Sequence, residues 1–282
     1  MNDGGKTIAV IPSSKDSKGL PDKNIRRTCG MASVSIVTSF SKRIYESPYQ
    51  DIFDCMKVMY PRVPFYAYHE NSYEMRKYGR KIEFNETWDG LVLADLFEAQ
   101  PDMEPFIYGQ GNPFDDAEGY WNANARFWVR KVFAIQHCSR VCETDYMFWT
   151  DADVRFFRER PLDDAFWEWL SDYDIAFLKR DGIPSAGMVE TGFICFRLTP
   201  RVKKFINDYL DYFLSGAFLS QERWDDSCGF TVVAQRPENR DLKQGYFSNR
   251  ELAASSPDNS PFSIHDYISH HKGPLVSVRS KE

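Results

Sequence analysis

Two aspartates one residue apart close an apolar run in Phe148-Trp149-Thr150-Asp151-Ala152-Asp153-Val154. Carboxylates this close repel each other unless a cation offsets them. A hard divalent ion with oxygen ligands does this, and such an ion can bridge onward to phosphate oxygens. The competing reading of an Asp-x-Asp is a solvated turn with a helix-capping aspartate. The aromatic strand-like run just before the pair favours the metal. Upstream, Arg126, Arg130 and His137 fall at positions 0, 4 and 11 of a helical repeat, with Lys131 beside them. Trp128, Val129, Val132, Phe133 and Ile135 supply the apolar side. A cation on that helix could reach a diphosphate held at the strand end; a solvated basic face is the alternative.

These residues need elements to position them. Val34 to Thr38 is a β-branched run of buried-strand type, Val63 to Tyr68 a strand candidate opened by Pro64, and Tyr146 to Trp149 a buried strand. Asp174 to Leu178 and Gly192 to Phe196 read as two more strands. Helical spacing runs through 43–60, 123–138 and 200–214, and a further helix is expected over about 221–236. The 200–214 helix has Thr199 and Pro200 at its start, Gly216 after its end, and an apolar stripe through Val202, Phe205, Ile206, Tyr209, Leu210, Phe213 and Leu214. Residues 71–121 read as an irregular insertion with short helices, and 250–282 mostly as loop. Alternating strands and helices predict an α/β fold with a mostly parallel sheet, which binds ligands beyond the C-terminal ends of its strands.

Composition narrows the function classes. The 282 residues carry 41 acidic and 35 Lys or Arg side chains, a formal charge of −6, which argues against wholesale nucleic-acid binding. No stretch approaches the roughly 20 apolar residues of a membrane span. The first residues, Met1-Asn2-Asp3-Gly4-Gly5-Lys6, lack the basic and apolar regions of a signal peptide, so a cytoplasmic location is expected. The six cysteines are scattered, and reduced thiols are expected. Cys138 and Cys142, at helical i,i+4 spacing, are read as packing rather than as a metal site.

Thr150-Asp151-Ala152-Asp153 after an apolar strand resembles the metal motif of GT-A-fold glycosyltransferases. Further segments match in the same order. Val34 to Phe40 looks like the first strand and nucleotide-facing loop, and Phe127 to Ile135 like the helix preceding the metal motif. Glu190-Thr191-Gly192-Phe193-Ile194-Cys195-Phe196 looks like the strand that lines the donor sugar and acceptor. Trp224-Asp225-Asp226-Ser227 resembles the Trp-x-Asp-Ser element of bacterial and phage-type members. His270-His271-Lys272-Gly273 resembles the C-terminal His-x-x-Gly element of glycogenin-like enzymes, with Val276 standing where the fuller pattern has lysine.

The resemblance spans about residues 33–276. It implies a GT-A-like, Rossmann-like mixed sheet flanked by helices, in one domain over 31–282. It implies Mn²⁺ or Mg²⁺ held by Asp151, Asp153 and His270, with His271 the alternative to His270. Thr38, Ser39, Phe40, Tyr45, Arg130, Lys131 and Lys272 would contact a nucleotide-diphosphate sugar. Glu190 and Asp226 would carry the chemistry on a glycan or other hydroxyl acceptor. They would serve as base in an inverting reaction, or stabilise an oxocarbenium-like state in a retaining one. Asp225 stands where histidine is more usual and reads equally as a helix cap. Trp224 reads either as a sugar-stacking ring or as core.

Residues 1–30 are set apart. Ile8 to Ile25 resembles the opening strand and loop of cytidylyltransferases that activate acidic sugars, but 30 residues cannot form that site. A spare, disordered extension is expected there. A sugar-nucleotide cytidylyltransferase and a non-catalytic glycan-binding protein on a transferase fold are the competing functions.

Overall fold

The structure is a computed structural model, and it describes residues 32–40, 63–69, 88–92, 126–152, 154–156, 162–179, 189–221, 223–247 and 268–270. Strand β1 (Val34–Phe40) takes up the β-branched run and is buried along nearly its whole length. Strand β2 (Phe65–His69) starts immediately after Pro64, where the missing N–H does no harm to the ladder. Strand β3 (Trp88–Val92) pairs parallel with β2. At 88–92 it replaces the irregular insertion with short helices expected over 71–121, the rest of which lies outside the described residues: Asp89 and Gly90 are poor strand formers and hide the strand in the sequence. Its partner β2 is what makes it one.

Helix α1 (Arg126–Val141) leads to β4 (Tyr146–Thr150), which ends at the first aspartate of the acidic pair. Then follow β5 (Val154–Phe156), α2 (Asp164–Ser171), β6 (Ile175–Lys179) and β7 (Val189–Arg197). The chain continues through α3 (Pro200–Leu214), α4 (Asp226–Ala234), β8 (Gln244–Phe247) and β9 (Ile268–His270).

Seven of the described strands form one sheet in the order β3-β2-β1-β4-β7-β6-β8, and β5 and β9 form a second, two-stranded sheet. Strands β3, β2, β1 and β4 run parallel, as do β6 and β8. Strand β7 runs against both its neighbours, β4 and β6. The start of β7 therefore lies at the same sheet edge as the ends of β1 and β4.

Strand pleating sends alternate residues to two cores. Val34, Ile36, Tyr146, Phe148, Phe193 and Cys195 meet Phe166, Trp169 and Leu170 of α2 on one face. Val37, Met147, Trp149, Ile194 and Phe196 meet α1, α3 and α4 on the other. Each large apolar side chain fully buried this way contributes about 1.5–3 kcal/mol.

Helix α3 has the bounds its sequence signals predict. Thr199 accepts a bond from the Val202 amide at 3.2 Å, Pro200 opens the first turn, and Gly216 follows with φ 75°. Helix α4 is shorter than the expected 221–236. Residues 223–225 precede its first turn, and Asp225 then caps it by accepting from the Cys228 amide at 2.9 Å. Nearly every α4 side chain is buried. A Cβ on its Gly229 would stand 2.9 Å from the Tyr212 ring and 3.0 Å from Phe213, so glycine allows α3 and α4 to close on each other. Residues 43–60 and 1–30, with the calls made on them, lie outside the described residues. Among the described residues no helix is long and apolar enough to cross a membrane.

Candidate active site

The site grows from the end of β4. The Asp151 amide donates to Gly192 O at 2.8 Å, which extends the β4–β7 pairing one step beyond Thr150. On its other side β7 is irregular. Phe177 of β6 pairs with Ile194, yet the next residue, Leu178, pairs with Glu190. Residues 191–193 thus bulge away from the β6 ladder, and a bulge re-aims the groups it carries. Here it turns the carbonyl and hydroxyl of Thr191 toward α1 and α4.

Lys131, on the second turn of α1, occupies the middle. Its Nζ lies 2.9 Å from Asp151 Oδ1 and 2.6 Å from Asp226 Oδ2, and donates to Thr191 O at 2.6 Å. These three acceptors match the three protons of an ammonium. The ammonium also sits 5.1 Å from the Trp149 ring centroid. Burial alone would lower its pKa. The Asp151 and Asp226 carboxylates outweigh that and hold it well above the ordinary lysine value.

The two carboxylates differ in depth. Asp226 has a side chain 5% exposed, against 30% for Asp151. Asp226 opens α4; its Oδ1 accepts from the Ser227 amide at 2.9 Å and its Oδ2 from the Thr191 hydroxyl at 2.5 Å. Tyr209 of α3 donates to the Asp226 carbonyl at 2.7 Å. Asp151 Oδ1 also accepts from the Trp149 indole at 2.8 Å. Glu190, two positions from Gly192 on β7, is buried at the same sheet edge.

Of the residues expected from sequence, Asp151, Lys131 and Asp226 meet at this edge, and Glu190 is buried on β7 next to Thr191. Thr38 is fully buried near the end of β1, and Phe40 packs into the core under α2. Ser39, between them, is half-buried. Arg130 is half-buried on α1. His137, read as part of the basic face, is engaged instead by the Tyr68 hydroxyl of β2 at 2.9 Å. The backbone of His270 lies in β9 directly opposite Val154 of β5, one residue after Asp153. Asp153, Tyr45, His271, Lys272 and the His270 side chain lie outside the described residues. Among the described residues no three His, Cys, Asp or Glu side chains cluster as a metal site.

Two open readings are settled. Trp224 is 1% exposed, donates to Gln221 O at 3.2 Å and packs on Phe218, so it is core rather than a stacking platform. Asp225 is the α4 cap, gripped by Arg223 Nε at 2.6 Å. Thr191, Trp149 and Tyr209 also belong to the network; in the sequence Thr191 lies between Glu190 and Gly192 with no charge to mark it, while Trp149 and Tyr209 sit in apolar patterns that read as core.

No family model and no curated protein matches this chain in sequence. Solved structures do match in shape. Galactosyltransferase LgtC, in complex with donor and acceptor sugar analogues, aligns at TM-score 0.50 and 12% identity, over 85% of this chain and 87% of its own. Core-mannan synthase A from Aspergillus fumigatus, in its Mn/GDP form, aligns at TM-score 0.50 and 11% identity, over 84% and 79%. The chain has the GT-A fold. In this GT-A sheet the acidic pair follows β4, and the reversed β7 brings Glu190 and Thr191 to the same edge. The mixed, mostly parallel arrangement expected from sequence is the one found, with the reversal of β7 as the detail the sequence did not announce.

Proposed function

We propose that this chain is a metal-dependent glycosyltransferase, moving a sugar from a nucleotide-diphosphate sugar to a glycan or other hydroxyl acceptor. The observation that carries this reading is the meeting of Asp151, Lys131, Thr191 and Asp226 at the sheet edge where α/β folds bind ligands. Buried charge networks are expensive to fold and are better explained by a task than by stability. The two matched structures, one with donor and acceptor sugar analogues and one with Mn and GDP, support the same class.

The donor chemistry fits a divalent ion. Asp151 is partly exposed at a strand end, and β9 runs beside the residue after Asp153. Asp151, Asp153 and His270 would hold Mn²⁺ or Mg²⁺, with imidazole nitrogen favouring Mn²⁺. Bound there, the ion would neutralise the departing diphosphate. Lys272 and Arg130 would add positive charge for those phosphates. Thr38, Ser39 and Tyr45 would border the nucleotide. Glu190 is the carboxylate offered to the reacting hydroxyl or the anomeric carbon. Asp226 is a positioning residue in this scheme: an ammonium, a hydroxyl and an amide already hold its oxygens.

A thermal-shift panel of UDP-, GDP-, CMP- and dTDP-sugars, each with and without Mn²⁺, tests the reading. One diphosphate sugar should stabilise the protein when Mn²⁺ is present, by about 2.7 kcal/mol at 100 times its dissociation constant. Sugar transfer from that donor should follow. Stabilisation by CTP and by no sugar nucleotide would point to the cytidylyltransferase reading instead.

A further inference from the structure

Lys131 has more to do than fill a charged hole. It holds two carboxylates of unequal depth with one ammonium. Two carboxylates and one lysine leave the cluster with one net negative charge. The deeper carboxylate, Asp226, and the Thr191 carbonyl would still hold the ammonium without Asp151. The shallower one, Asp151, is the group read as a metal ligand. An arriving dication and the ammonium therefore want the same carboxylate, and the ammonium has a second partner to fall back on.

We infer that Lys131 is an internal counter-ion that competes with the divalent metal for Asp151 and sets how weakly this site holds its ion. The inference rests on the metal-dependent reading above. While the metal is away, Lys131 prevents repulsion between Asp151 and Asp226. When the metal is present, Lys131 retreats onto Asp226 and Thr191, and that retreat opposes metal binding. Asp226 tunes the competition. With its charge gone, Lys131 leans harder on Asp151 and the site holds metal less well.

Binding of Mn²⁺ alone, followed by the electron paramagnetic resonance of the free ion, tests this without any turnover. Lys131→Met should bind Mn²⁺ more tightly than wild type, by about tenfold for the removal of one nearby positive charge. That variant leaves the Asp226 carboxylate buried without its cation, at a cost to folding. The informative pair is then Asp226→Asn against the double variant Lys131→Met/Asp226→Asn, which holds no stranded buried charge. Asp226→Asn should bind Mn²⁺ more weakly than wild type, and the double variant more tightly than Asp226→Asn. Equal or weaker binding by the double variant overturns the inference and leaves the metal reading standing. Absence of Mn²⁺ binding in every one of these proteins overturns both.

Discussion

The end of β4 and the start of α4 each bring one carboxylate to Lys131, and the fold treats them differently. At α4, Asp226 is closed in by Thr191, the Ser227 amide and the ammonium, with Tyr209 holding its backbone. At β4, Asp151 takes Lys131 and the Trp149 indole on one oxygen and keeps 30% of its side chain accessible. The same residue type with the same cation thus has two assignments. The buried one organises the site. The partly exposed one sits where a ligand can reach it. The difference comes from the helix start on one side and the open sheet edge on the other.

The largest expected effect tests the buried side. Asp226→Ala takes from buried Lys131 the nearer of its two carboxylates and from the Thr191 hydroxyl its shortest acceptor, and should cost about 3–5 kcal/mol in urea unfolding. If Asp151→Ala costs as much, the two carboxylates are equivalent and the contrast fails. Gly229→Ala leaves every charge in place and presses a methyl group into the Tyr212 and Phe213 rings. It should cost about 1–3 kcal/mol. Any accompanying loss of sugar-nucleotide binding would show that the seating of α4, and not only the charge of Asp226, positions the site.

Asp151→Asn should cost about 1 kcal/mol, since an amide oxygen can still accept from Lys131 and Trp149. Its Mn²⁺-dependent thermal shift should vanish. A shift as large as wild type's would remove Asp151 from the metal site.

The smallest effect concerns the neighbouring cap. Burial first, and the Asp226 charge second, push the Asp225 carboxyl above its ordinary value, against the pull of Arg223. A carboxyl raised on folding adds stability below its unfolded pKa and loses that contribution as pH rises through its folded one. Asp225→Asn still caps α4 and lacks this slope. Wild type should therefore lose stability relative to the variant between acidic and neutral pH. Parallel stability curves for the two proteins would argue that Asp225 is not under this strain.

Much of the fold was legible because its signals are local. Thr199, Pro200 and Gly216 mark the two ends of α3, and the apolar run before Asp151 marks β4. Strand β3 was missed because Gly90 and Asp89 say nothing of a strand until β2 lies alongside. The expected start of α4 near 221 is too early because apolar content cannot locate a helix start, whereas the reading of Asp225 as a cap places it at 226, where it is found. In the site, Asp151, Asp226, Glu190 and Lys131 stood out as charges beside apolar runs. Trp149 and Tyr209 did not, because an indole N–H or a phenol inside an apolar stripe looks like packing.

The sequence alone determined the chemistry at hand: adjacent acids at a strand end, a lysine on the helix before them, and a second acidic pair opening a later helix. Which of these acids faces which cation was decided by tertiary structure. Lys131 reaches Asp151 across 20 positions and Thr191 across 60. The second meeting depends on the reversal of β7 and its bulge. Residue spacing reports on a single helix or strand, whereas pairing between distant segments follows from sheet order, register and the joint burial of their apolar faces.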